Sequence, residues 1–213
     1  MGWTSLFLEL SGKKVALVGT GEVASRRAHR FLDNDAEVIL IGKSISDELK
    51  NKGAILNKTK DHEELKKIVD WSDIVVIASG NKELNDYVSS ISGKKLVNRA
   101  DYPEKGNLIV PTNFYLDDIQ VSIFTNGKSP LMARELRKKI QATIKKEDLL
   151  QIKIQDYARN ILKEKIDNQK ERKEYLYKIL EDNEIKKLLK EEKLEIAQEY
   201  IKKLINKDMK TTK

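Results

Sequence analysis

Lys14-Val15-Ala16-Leu17-Val18-Gly19-Thr20-Gly21-Glu22-Val23-Ala24 is the stretch that decides how this chain folds. Lys14 to Val18 is a short, almost wholly apolar run of the kind a buried parallel strand needs. Gly19-x-Gly21-x-x-Ala24 follows at once, and Val23, Ala24, Arg27, Ala28, Phe31 and Leu32 then recur at helical spacing over 23–33. A glycine pair set between strand and helix is the context in which the dinucleotide fingerprint has meaning. Gly19 permits the tight turn, Gly21 lets the backbone approach a pyrophosphate, and Ala24 keeps the helix close to the sheet. The helix start also presents unpaired N–H groups to an anion. Gly19, Gly21, Glu22 and Val23 are therefore candidates for holding a dinucleotide. The plainer alternative is a sharp turn in an α/β domain that binds nothing.

Moving outward, 37–41, 55–58, 74–79 and 95–98 read as further strands, with helices over 63–69 and 83–91 between them. Alternating strand and helix predicts an α/β fold built on a Rossmann-like parallel sheet. The rhythm then changes. The stretches 108–111 and 119–124 follow one another without a clear helix, which predicts a small added β segment outside the main sheet. Ser129-Pro130 opens a helix, with serine as N-cap and proline in the first turn. From 145 to 213 there is no glycine or proline, and leucine and isoleucine recur at spacings of three and four, so an all-helical C-terminal region is expected. The domains are accordingly 1–112, a dinucleotide-binding domain; 113–145, a linking segment; and 146–213, a helical domain.

Composition narrows the chemistry. The chain has no cysteine, which removes disulfides, thiolate catalysis and thiolate-bound metals, and fits a reducing, cytoplasmic setting. His29 and His62 lie in separate helical stretches and form no metal cluster, so no metal site is expected. No apolar run approaches the ~20 residues that span a bilayer, and the start of the chain has no basic region ahead of its apolar residues, so neither a membrane span nor a signal peptide is expected. A net charge of +7 favours an anionic partner. From residue 145 onward, however, 19 basic residues are interleaved with 15 acidic ones, which argues against a nucleic-acid surface.

Two further stretches bear on a site. The acidic residue that normally grips the ribose at the end of the second strand is missing, and Ile41 runs into Gly42-Lys43-Ser44 instead. Ser44 can hydrogen-bond a ribose and Lys43 can accept a 2′-phosphate, so spacing alone leaves NAD against NADP open. After the strand at 95–98 comes Asn98-Arg99-Ala100-Asp101-Tyr102-Pro103. Ligands of open α/β sheets sit beyond the carboxyl ends of the strands, which places Asp101 where a carboxylate can act as acid or base. From residue type alone, an aspartate that merely starts a turn before Pro103 is the slightly better reading.

Five separated motifs occur in order: Leu6-Phe7-Leu8-x-Leu10-x-Gly12-Lys13-x-Val15, Gly19-x-Gly21-x-Val23-Ala24-x-Arg26-Arg27, Asn98-x-x-Asp101-x-Pro103, Leu108-Ile109-Val110-Pro111, and Thr125-Asn126-Gly127-Lys128-Ser129-Pro130-Leu131-x-Ala133-Arg134. Together they closely resemble the precorrin-2 dehydrogenase family, over 6–140. That family includes stand-alone enzymes, part of bacterial sirohaem synthase, and the yeast bifunctional enzyme. The resemblance implies NAD-dependent oxidation of precorrin-2 to sirohydrochlorin, a dimerisation segment, here 113–145, exchanged between the subunits of a homodimer, and a helical C-terminal domain. It places cofactor contacts at Glu22, Val23, Lys43 and Ser44 with Asn98 beside them, makes Asp101 the catalytic aspartate, and tips the cofactor towards NAD. Lysine at position 43 is a departure from the family. Some members also insert iron or cobalt into the product, an activity the residues do not decide.

The implied substrate is a polycarboxylate, which gives the basic residues a purpose. Lys128 precedes the helix that Ser129 opens, and 134–146 holds six basic residues and one acidic. Arg134 and Arg137, one turn apart, can each grip a carboxylate in a bidentate fork, and Ser129, at the positive end of the helix, and Arg134 are the substrate-binding candidates. Lys138, Lys139, Lys145 and Lys146 read better as a solvated face. A dinucleotide-sensing regulatory module would use the same glycine turn, but would not call for the motifs at 98–103 and 125–134.

Overall fold

The computed structural model describes residues 2–211. The chain divides into two compact units, Met1–Val110 and Pro111–Lys213. In the first, strands β1 (Lys14–Val18), β2 (Glu37–Ile41), β3 (Ile55–Asn57), β4 (Ile74–Ile77) and β5 (Leu96–Arg99) alternate with helices α1 (Glu22–Leu32), α2 (Asp47–Asn51), α3 (His62–Trp71) and α4 (Lys82–Ile91). All strand pairs are parallel, in the order β3-β2-β1-β4-β5. Such a sheet is covered on both faces, so its central strands must be apolar throughout. That is why Val15 to Val18 and Ile74 to Ile77 are almost completely buried.

Two apolar layers flank the sheet. One gathers Val15, Leu17, Val38, Leu40, Ile74 and Val76 under Ala24, Ala28 and Phe31 of α1. The other gathers Ala16, Val18, Ile41, Val75 and Ile77 against Leu65, Ile68 and Val69 of α3 and Val88 of α4. Odd residues of β1 face one layer and even residues the other, as the two-residue period of a strand requires. The two small residues of α1 that face the sheet let the helix lie close over β1. The other three helices of this unit start with side-chain caps: Ser46, Asp61 and Asn81 accept from the N–H groups of Leu49, Glu64 and Leu84.

The differences from the sequence reading are local. β4 ends at Ile77, so Ala78 and Ser79 leave the sheet, and β5 runs one residue further, to Arg99. Residues 108–110 form no strand. Leu108 instead donates its N–H to the Val97 carbonyl, and Leu108 and Val110 pack on the α1 side of the core. The short helix α2 was not apparent because five residues are too few to show a period.

In the second unit, β6 (Thr112–Leu116) and β7 (Ile119–Ile123) form an antiparallel hairpin. The expected β segment therefore exists, but its first strand is 112–116 and not 108–111. The turn puts Asp117 at φ 50°, a conformation that aspartate tolerates better than most residues. Helices α5 (Pro130–Thr143), α6 (Lys146–Lys165), α7 (Gln169–Glu181), α8 (Asn183–Lys190) and α9 (Leu194–Thr211) follow. Phe114 and Ala133 are buried between hairpin and α5. The last four helices enclose Ile154, Ala158, Leu162, Ile179, Ile185, Leu189, Ala197 and Ile201. The helical expectation thus holds as far as residue 211; Thr212 and Lys213 lie outside the described residues. Among those described, no helix is long and apolar enough to cross a membrane.

Candidate dinucleotide and catalytic site

The strand order reverses between β1 and β4, and the carboxyl ends of those strands frame the crevice in which open α/β sheets hold their ligands. Gly19 leaves β1 with its N–H bonded to the Ile41 carbonyl at 2.8 Å and its φ at 115°. A side chain there would overlap the Ala78 carbonyl at the end of β4, so Gly19 is demanded by the protein's own backbone. Gly21 differs. Its φ of −78° suits any residue and nothing lies within 4 Å of where a Cβ would stand. The fold makes no demand for glycine at 21, and the space it leaves open faces the start of α1.

No side chain caps α1, and its first intrahelical bond runs from Ser25 N–H to the Gly21 carbonyl. The N–H groups of its first turn are thus presented without a protein cap beside open space, which is what a pyrophosphate requires. Glu22 and Val23 are exposed in that turn. Lys43 and Ser44 are exposed just beyond β2, at the same sheet edge. Gly42 also matters here: a side chain on it would collide with Thr20, so its absence lets the β1–α1 turn abut the end of β2. Asn98 is placed otherwise. It is 2% exposed, donates its amide to the Leu108 carbonyl at 2.8 Å, and keeps a buried Oδ1 without a partner. Its amide thus ties β5 to the following loop.

Asp101 lies just past β5, in a network the sequence reading did not foresee. Arg99, 1% exposed, donates from Nε to Asp101 Oδ1 at 2.8 Å and from Nη2 to Asp101 Oδ2 at 2.7 Å. Asn85 of α4 donates to Asp101 Oδ2 at 2.9 Å, and the Tyr102 N–H to Oδ1 at 3.0 Å. Ser79 fixes Asn85 in turn, its hydroxyl donating to Asn85 Oδ1 and its carbonyl accepting from the Asn85 amide. The Arg99 hydrogen bonds, helped by Asn85 and a backbone N–H, hold the Asp101 carboxyl far below the usual carboxylate range despite its partial burial. Arg99 rises in turn, chiefly through Asp101. The signal that could have revealed this pair is its spacing: two residues apart, both on one side of the strand end.

In the second unit Ser129 caps α5, its hydroxyl accepting from the Met132 N–H at 3.1 Å while its own N–H donates to Thr125 Oγ1. Arg134 is exposed, whereas Arg137 lies over the Phe114 ring at 5.6 Å and donates to Gln141. Among the described residues no three His, Cys, Asp or Glu side chains come together in a group that could hold a metal ion.

Fold and site together define a dinucleotide-binding protein of the Rossmann class. A family model described as "Putative NAD(P)-binding" matches residues 6–112, and one described as "Sirohaem biosynthesis protein central" matches 117–143. The "Precorrin-2 dehydrogenase" of Methanosarcina barkeri is 30% identical over 190 residues, covering 84% of each chain. A Methanocaldococcus jannaschii protein named "Putative precorrin-2 dehydrogenase" is 35% identical over 197 residues, 87% of this chain and 93% of that one. The chain belongs to the precorrin-2 dehydrogenase family. The solved structure of "SirC, precorrin-2 dehydrogenase" superposes with a TM-score of 0.75 at 23% identity, over 94% of this chain and all of that one, and so shares the fold.

Proposed function

We propose that this protein is an oxidoreductase that converts precorrin-2 to sirohydrochlorin with NAD+, as a cytoplasmic homodimer. The observation that carries the reading is the pairing, at one sheet edge, of an uncapped α1 beside an open Gly21 with a fixed carboxylate at Asp101, in a chain of this family. Gly19, Gly21, Glu22 and Val23 hold the pyrophosphate, and Lys43 and Ser44 meet the adenosine ribose. Asn98, at the end of β5, joins them in binding the cofactor, its amide held by the Leu108 carbonyl. The nicotinamide, when bound, supplies the hydride acceptor. The protein's task is to orient the macrocycle and to manage charge. Asp101 faces the reacting carbon and takes up the proton that leaves with oxidation, while Ser129 and Arg134 receive substrate carboxylates.

The choice of NAD+ rests on the family resemblance; the exposed Lys43 is the feature that gives NADP+ a foothold. The segment 113–145 serves dimerisation, between a dinucleotide domain over 1–112 and a helical domain over 146–213. Hairpin and α5 give that role support, since Tyr115, Leu131, Met132 and Leu136 stand exposed on them and Phe124 on the link between them.

The test is anaerobic incubation with freshly made precorrin-2 and NAD+, following NADH and the sirohydrochlorin spectrum together, with NADP+ in parallel. Coupled appearance of both in the NAD+ lane is expected. Dinucleotide binding without oxidation in either lane overturns the enzyme assignment and leaves a sensor of nicotinamide nucleotides.

A further inference from the structure

Arg99 is the largest side chain that the fold buries completely, and it sits at the end of β5 beside the carboxylate just assigned to catalysis. A buried guanidinium that lacked partners would cost several kcal/mol, so its surroundings show what it is held for. Five hydrogen bonds leave it. Two go to Asp101, one to each carboxylate oxygen, two go to Asp86 Oδ1 at 3.1 and 3.0 Å, and one to the Asn85 carbonyl at 3.4 Å. Arginine has five N–H donors, so none is left over. The planar fork matches a carboxylate edge in a way a lysine ammonium cannot.

Two carboxylates about one cation would leave Asp86 and Asp101 competing, but Asp86 has cations of its own. Lys82 and Lys105 each bring Nζ to 3.9 Å from it, from α4 and from the short helical turn Pro103–Lys105 that follows Asp101. Asp86 is also much the more exposed of the two, at 40% against 21% for Asp101. Water and two lysines therefore share the load at Asp86, and the fork is free to face Asp101. Tyr102 closes the remaining side, its ring 5.9 Å from the Arg99 guanidinium and 5.2 Å from Lys105 Nζ. The charged groups around Asp101 are thus Arg99 from β5, Asp86 and Lys82 from α4, and Lys105 from the turn. Asn85 is neutral and supplies the fourth hydrogen bond to the carboxylate.

We propose that Arg99 is a positioning residue for the reaction: anchored by Asp86, it holds Asp101 ionised and in one orientation before substrate arrives. This rests on the dehydrogenase reading above and deepens it. A carboxylate held by two arginine N–H groups, an amide and a backbone N–H is a weak proton acceptor but a well-placed negative charge. Its first contribution is to face the positive charge that grows on the macrocycle as hydride leaves. It takes the proton afterwards, from a ring that the loss of hydride has made acidic. Preorganised charge of this kind needs no rearrangement at the moment of reaction.

The experiment is a carbon-13 titration of aspartate carboxyl signals in the full-length protein without cofactor, from pH 7 to pH 3, with Asp101 identified by the signal missing from Asp101→Asn. In the wild type the Asp101 signal stays at its ionised position across the range. In Arg99→Lys, which keeps the charge but not the fork, it titrates within the range, and in Asn85→Ala it moves in the same direction by less. In the dehydrogenase assay the acid limb of kcat/KM moves up in Arg99→Lys, while the dissociation constant for NAD+ changes less than threefold. A wild-type Asp101 that titrates near the ordinary value of ~3.9 overturns the proposal. So does an Arg99→Lys profile that is lower at every pH without a shifted limb, which marks a residue that only supports the fold. The titration needs no turnover, so a protein inactive on precorrin-2 would refute the dehydrogenase reading and still decide whether Arg99 governs Asp101.

Discussion

Gly19 and Gly21 belong to one motif, yet the structure assigns them different work, and substitution should separate them. At Gly21 the backbone is already in a region open to any residue and a methyl group meets nothing. Gly21→Ala therefore costs the fold nothing, and by restricting the unfolded chain it stabilises by about 0.4–1 kcal/mol. The methyl does, however, occupy the approach to the uncapped first turn of α1. A pyrophosphate pushed back from that turn loses one or two charge-assisted hydrogen bonds worth about 1.5–3 kcal/mol each. A partial loss of about 2–3 kcal/mol is a weakening of roughly 30- to 150-fold. Gly19→Ala is the contrast. Its φ of 115° costs an alanine about 1–3 kcal/mol, and its Cβ overlaps a backbone carbonyl that cannot swing aside. Its melting temperature should fall by at least ~3 °C. Fluorescence titration with NADH, beside thermal unfolding of both variants, makes the measurement. A Gly21→Ala protein that melts well below the wild type shows that the glycine serves the fold. One that melts normally and binds NADH normally removes the pyrophosphate from the start of α1. Either result refutes the reasoning.

Asp101→Ala should slow turnover by ~100-fold or more while NADH affinity stays within a factor of about three, and equal losses of both would take Asp101 out of the chemistry. Because the folded-state pKa of Asp101 lies below its unfolded value, its contribution to stability is complete above that unfolded value and is lost as pH falls towards the folded one. Urea midpoints of the wild type should therefore drop between pH 5 and pH 3 more steeply than those of Asp101→Asn, and parallel curves would contradict the pairing with Arg99. Lys43→Asp restores an acidic residue at the end of β2 and should raise the preference for NAD+ over NADP+ by at least ~10-fold; an unchanged ratio would place the ribose elsewhere. Ile154→Ala opens a cavity among α6, α7, α8 and α9, and should cost about 2–5 kcal/mol, read as a lower urea midpoint of the helical unit. A cost under ~1 kcal/mol would mean that core is loosely packed.

The sequence by itself determined the parallel sheet and the place of the glycine turn, because both rest on local, periodic signals. A four- or five-residue apolar run can only be a buried strand when glycines and a helical period follow it, and Val15 to Ala28 carries all three. Asp101 was legible as a candidate for the same reason: it stands just past a strand end. The sequence also carried the N-cap at Ser129 and the helical character of the C-terminal region. Tertiary structure alone decided what those residues touch. That Gly19 is required by Ala78 and Gly21 by nothing in the chain depends on β4 lying beside β1, a neighbour more than fifty residues away. The displacement of the added strand from 108–111 to 112–116 was decided by Val97 and the core, which claim Leu108 and Val110 before they can pair. Arg99 shows the limit most clearly. In the sequence it is one basic residue among 41. Only the packing of α4 against β4 and the turn after Asp101 brings Asn85, Asp86 and Asp101 around it, because hydrogen bonds between distant segments leave no period for a sequence to display.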